Sequence, residues 1–288
     1  MQFENRVPDE TVNYGQAHPL GEFAWLVIAA LGITLAIAAV VAFFGGEFAA
    51  RLPFRAENEF SASITRHWEE APRDGQAQAA RDALRAIGAR LGAVMELPDD
   101  MRLQVHYSPG KTINAFATLG GNVVLYRGLL VRFDSEDAVA AVLAHEIAHA
   151  KLRHPASSLG RGIAVGLTLT LLSTGLGESV AGGAMQVAAT LPVLKYSRDQ
   201  EAAADREAIV AVAKVYGHAG GAHDALIALG RIRPDGSDVS FLRTHPVSAE
   251  RVAAVERLAR ERGWTLDRPR TPLPPALAAL KVKAGVAD

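Results

Sequence analysis

The sequence predicts an α+β fold, mostly helical, in which a small β-sheet lies beside one buried helix and a single membrane-spanning helix precedes both. Three observations carry that prediction. An uncharged apolar run fills residues 23–46. Short alternating segments lie between Leu103 and Tyr126, punctuated by Gly120-Gly121. Beyond them Val139, Val142, Leu143 and Ile147 recur at helical spacing. A length of 288 residues allows one or two domains, and 49% hydrophobic residues is high for a soluble chain but ordinary for a membrane-attached one. The net charge is −1 with signs interspersed, so nucleic acid is not a partner the sequence supports. Cysteine is absent. That rules out disulfides and thiolate ligands and leaves the compartment open.

In chain order, residues 1–22 read as a polar tail and 23–46 as the transmembrane helix. About 20 apolar residues span a bilayer core, and Trp25 and Phe43-Phe44 stand where aromatic anchors are expected. A cleaved signal peptide does not fit, because Glu4, Asp9, Glu10 and Glu22 outnumber Arg6 ahead of the run. Arg51 and Arg55 follow the run, so the positive-inside rule places the chain in the cell membrane with the downstream domain in the cytoplasm. Residues 47–76 read as a linker. Residues 77–97 read as an amphipathic helix through Ala80, Leu84, Ile87, Leu91 and Val94, ended by Pro98. Residues 103–107 read as a strand, and 113–118 with 122–126 as a hairpin. Two glycine-rich apolar stretches within 162–194 flank Glu178 and predict a helical hairpin that contacts the membrane. The main domain is expected over 77–265, followed by a Pro-rich tail with a short helix over 266–288.

The chemistry concentrates in His145, Glu146 and His149, an H-E-x-x-H pattern. On a helix, residues four apart share a face, so two imidazoles can grip one metal ion while Glu146 points at a metal-bound water. Ser135 is a candidate N-cap, with Glu136 and Asp137 in the first turn and Lys151 and Arg153 near the end. A catalytic zinc needs a third protein ligand. Glu201 can supply it, and Asp205, one turn on, can accept the second N–H of a ligating histidine. His154 falls off the metal face on an uninterrupted helix and reads as a helix-end cation beside Lys151 and Arg153.

H-E-x-x-H followed by Ser197-Arg198-x-x-Glu201-x-x-x-Asp205 resembles the HtpX-like zinc metallopeptidases, the gluzincin family that also contains the CAAX prenyl-protein endopeptidases. Asn114-Ala115-Phe116-Ala117 with the segment Val123 to Leu130 resembles that family's strand and hairpin, and Thr244-His245-Pro246 with Arg251 its C-terminal element. The resemblance runs from about Leu103 to Leu258 and implies a zincin-type domain holding one Zn2+ per chain, endopeptidase activity on polypeptide substrates and Glu146 as general base. It also implies that Asn114, Ala115 and Phe116 form an exposed edge strand that pairs with substrate. From the residues alone, an ordinary hairpin serves equally. His245 and Arg251 are candidate oxyanion donors. His245 could instead occupy the fourth zinc position at rest, and both could be helix-start residues with Pro246 in the first turn. The function expected is a membrane-anchored zinc endopeptidase in protein quality control or processing. The alternatives are an inactive zinc-binding chaperone or scaffold, against which Glu146 stands, and a prenyl-protein processing protease, for which one firm span is too few.

Overall fold

The computed structural model describes residues 19–69, 74–172, 196–232 and 239–282. The tail ahead of Pro19, the part of the expected hairpin beyond Leu172 and the last six residues lie outside them. Helix α1 (Pro19–Arg51) is continuous and longer than the apolar run that predicts it. At about 1.5 Å per residue it measures roughly 50 Å, against a bilayer core of about 30 Å. Its apolar side chains face outward, Trp25 at 72% and Leu35 at 69% exposure, and the helix is long and apolar enough to cross a membrane.

The stretch expected as a linker contains helix α2 (Phe54–Glu69). Among its described side chains, Phe54, Glu57, Ser61 and Thr65 are buried at helical spacing, and Glu57, Ser61 and Thr65 are polar. Inside the protein, Glu57 Oε2 accepts the Gly120 N–H at 2.8 Å and Oε1 pairs with Arg153 at 2.8 Å. Helix α3 (Gly75–Gly92) is capped by Asp74, which accepts the Gln76 N–H. Ala80, Leu84, Ile87 and Leu91 make its buried stripe, and the helix stops short of Pro98 in a turn.

Strand β1 (Gln104–Ser108) pairs in parallel with β3 (Asn122–Tyr126), and β2 (Ala115–Ala117) pairs antiparallel with β3, giving the order β1-β3-β2. Between β2 and β3, Gly120 takes a φ of 73°, a conformation glycine adopts without steric cost. The edge strand β2 is covered rather than exposed as expected: Ala115, Phe116 and Ala117 are 0%, 4% and 1% accessible. The helix carrying His145 packs against it, and Ile113 just ahead accepts the Phe241 N–H at 3.0 Å.

After the short α4 (Arg127–Leu130), that helix, α5 (Glu136–Lys151), is buried from Glu136 through Ala150. Ser135 caps it by accepting the Ala138 N–H. Leu84, Val123, Leu125, Leu129, Leu143, Ile147, Ile209 and Val212 form the centre of the core around it. Helix α7 (Arg198–Tyr216) and helix α8 (Gly220–Gly230) pack on α5 from the other side. Helices α9 (Phe241–Thr244), α10 (Ala249–Arg262) and α11 (Pro275–Val282) complete the domain.

Helix α6 (His154–Leu172) turns back along α1. Gly160 sits directly on the Gly45 carbonyl and the Ala49 side chain, while Ser157 and Arg161 sit on Gly46, so the two helices run antiparallel with backbones in close approach. Helix α6, whose last residues open the stretch expected as a hairpin, thus packs along the apolar helix.

Candidate metal centre

Helix α5 sets His145 and His149 one turn apart, with their Nε2 atoms 3.0 Å from each other. Helix α7 starts at a capping box formed by Ser197 and Gln200, which holds Glu201 in place immediately after it. Glu201 Oε2 lies 3.5 Å from His145 Nε2, and Oε1 lies 3.4 Å from His149 Nε2. His245, at the end of α9, brings Nδ1 to 2.9 Å from Glu201 Oε1 and 3.3 Å from His145 Nε2. Each of the four offers a ligand atom within 4.8 Å of the others, and all four are buried.

Around this cluster the other expected residues fall into three groups. Glu146 is fully buried, and neither of its carboxylate oxygens has a hydrogen-bond partner; Oε1 lies 3.6 Å from His245 Nε2. Asp205 Oδ1 faces His145 Nδ1 at 3.0 Å. Arg251 grips Asp205 through two contacts of 2.7 Å and reaches Glu201 Oε2 at 2.8 Å. Its guanidinium is thus turned to carboxylates and to the Pro246 carbonyl at 3.0 Å, not to open space as an oxyanion donor would be. Pro246 is not a first-turn residue, since α10 begins at Ala249 behind the Ser248 cap. Asn114, Ala115 and Phe116 belong to the covered edge of the sheet, where Asn114 Oδ1 is buried without a partner.

Two residues near the centre carried no expected role in the metal site. The Tyr196 ring stacks on His149 at 4.1 Å and 22°. His154 places Nδ1 2.8 Å from His149 Nδ1 and is buried, so it is no helix-end cation. The chain leaves α5 at Leu152 and turns through Arg153, whose φ is 63°, which swings His154 back to the face it would miss on a continuous helix.

The model of peptidase family M48 matches residues 78–259, well over half of the chain. The chain belongs to that family. Among its curated relatives, mitochondrial metalloendopeptidase OMA1 of Schizosaccharomyces pombe is 28% identical over 160 residues, 54% of this chain and 47% of the relative. OMA1 of Arabidopsis thaliana is 31% identical over 140 residues, 48% and 28% of the two chains. The beta-barrel assembly-enhancing protease of Yersinia pestis is 35% identical over 104 residues, 33% and 21%. The aligned part spans less than half the length of each of these relatives.

Metallopeptidases of the M48 family depend on zinc, and the donor set here fits that ion: imidazole nitrogens and one carboxylate, with no thiolate. Charge supports the fit. Burial disfavours the His145 cation, yet the Asp205 and Glu201 carboxylates outweigh it and raise His145 to about 10. Burial pushes Glu201 up, but hydrogen bonds from His145, His149 and His245 hold it far below the carboxylate range. Against the same burial, His145 and Arg251 hold Asp205 down at about 2. The centre therefore keeps its carboxylates ionised and attracts positive charge. Burial lowers His149 and brings His154 to about 4, so both stay neutral. The two orphaned Glu146 oxygens are the strongest sign of fit, because a buried carboxylate without a partner is costly unless a bound ion or water completes its surroundings.

Proposed function

We propose that the chain is a membrane-anchored zinc endopeptidase that hydrolyses internal peptide bonds of polypeptide substrates in protein quality control or processing. The observation that carries the reading is Glu146, buried and unpartnered beside a four-residue donor set. His145, His149 and Glu201 would hold the ion. Zinc, when bound, polarises a scissile carbonyl and lowers the pKa of a water toward neutrality. Glu146, buried beside the donor set, would take a proton from the attacking water and pass it to the leaving amine. Asp205 accepts the His145 Nδ1–H and fixes its tautomer, while Arg251 holds both Asp205 and Glu201 in place. His245 has one of two tasks: its Nδ1, 2.9 Å from Glu201 Oε1, would join the donor set at rest and keep water out, or its side chain would donate a hydrogen bond to the developing oxyanion.

Substrate enters as an added strand on β2, next to Asn114, Ala115 and Phe116, once the covering of that edge has opened. The similarity to a metalloendopeptidase and to a protease supports cleavage within chains. Arg51 at the end of α1 and Arg55 at the start of α2 support a cytoplasmic domain. The test is to incubate the full chain in detergent with unfolded protein substrates and identify product ends by mass spectrometry. Chelation should abolish cleavage, stoichiometric zinc should restore it, and the new ends should be internal. Release of terminal residues alone would refute the endopeptidase assignment, and chelator-resistant cleavage would refute the metal.

A further inference from the structure

His149 presents Nε2 to the donor set, 3.0 Å from His145 Nε2 and 3.4 Å from Glu201 Oε1. A neutral imidazole that ligates through Nε2 carries its proton on Nδ1. His149 is fully buried, so that N–H must find an acceptor inside the protein. For His145 the acceptor is the Asp205 carboxylate at 3.0 Å. For His149 the contact is His154 Nδ1, at 2.8 Å. We propose that His154 is a positioning residue of the metal centre, accepting the His149 Nδ1–H and thereby fixing Nε2 as the ligand atom. The inference rests on the zinc-peptidase reading above.

Two features of the fold hold His154 in that role. Its backbone follows Arg153, which pairs with Glu57 at 2.8 Å, lies over the Phe54 ring at 3.9 Å and donates to the carbonyls of Ala50 and Leu52. The Tyr196 ring lies against both imidazoles, 4.1 Å from His149 and 5.8 Å from His154. The two histidine ligands therefore differ in kind. His145 leans on an anion and His149 on a neutral ring, which makes His149 the less basic ligand. In this arrangement His154 can accept only if its own proton sits on Nε2.

The experiment compares His154→Asn with His154→Leu, two side chains of similar shape of which only asparagine offers an acceptor. Zinc-loaded full-length chains in detergent are mixed with excess chelator, and zinc release is followed by a colorimetric indicator. His154→Leu should release zinc about 10–100-fold faster than wild type, and its cobalt-substituted absorption spectrum should shift. His154→Asn should return both readouts to within a few-fold of wild type. Wild-type release and an unshifted cobalt spectrum in His154→Leu would overturn the proposal, as would equal damage from both substitutions in chains that fold. If His154→Leu fails to fold, nitrogen chemical shifts of 15N-histidine in the wild-type zinc form decide the matter. The proposal requires His154 as the Nε2–H tautomer, and a proton on its Nδ1 refutes it. A wild-type chain that binds no zinc would instead sink the peptidase reading itself, a result these comparisons keep separate.

Discussion

Glu201 shows how one side chain acquires several duties. It contacts three histidines and an arginine, and against its burial the histidines keep it ionised. His245 is the residue whose part in the cycle is most open to experiment. As the occupant of the fourth position at rest, its replacement by phenylalanine should raise basal cleavage or self-cleavage and weaken zinc retention. As an oxyanion donor, the same change should lower kcat about a hundredfold with KM little altered. Steady-state kinetics with metal analysis separates the two, and full activity with full zinc would exclude both. The donor set was legible in the sequence because H-E-x-x-H and Glu201-x-x-x-Asp205 are both one-turn spacings on helices. His154 was not. The break after Lys151 is made by Arg153 in a left-handed conformation, a position normally marked by glycine or asparagine, so periodicity projected the helix onward. Tyr196 escaped for a different reason: an aromatic residue ahead of a helix cap has no spacing that ties it to a distant imidazole.

Among the elements, α5 was the most predictable, since its cap, its first-turn acids and its apolar positions all agree. Helix α2 was the least, because among its described side chains the buried Glu57, Ser61 and Thr65 look exposed in a hydropathy pattern. The edge strand was placed correctly in the sheet, but its covering comes from residues distant in sequence, among them the Phe241 backbone. The α1–α6 contact makes a specific prediction. A side chain at Gly160 would run into the Gly45 carbonyl and Ala49, so Gly160→Leu must push the helices apart. Overpacking of this kind costs about 1–3 kcal/mol. Thermal unfolding in detergent should show a lowered midpoint, while Gly32→Leu, where nothing lies near, should leave it unchanged.

At the scale of the whole molecule, one apolar helix leads directly into a peptidase-family domain through α2, and Glu57 of α2 meets the residue next to His154. Arg153 also donates to the Ala50 and Leu52 carbonyls, so the apolar helix and the metal centre are joined by a short chain of contacts. If Arg51 and Arg55 set the orientation, a reporter active only in the cytoplasm should be active when fused after Asp288, and protease added to intact cells should spare the domain. Digestion of the domain from outside would reverse the topology and change the pool of substrates. The central claim, that Glu146 is the base of a zinc peptidase whose metal is held by other residues, is tested most directly by purifying Glu146→Gln and measuring zinc content and cleavage together. The account predicts about one zinc per chain and no detectable proteolysis, because an amide cannot take the proton while His145, His149 and Glu201 remain. Wild-type cleavage by Glu146→Gln, or loss of its zinc, would contradict it.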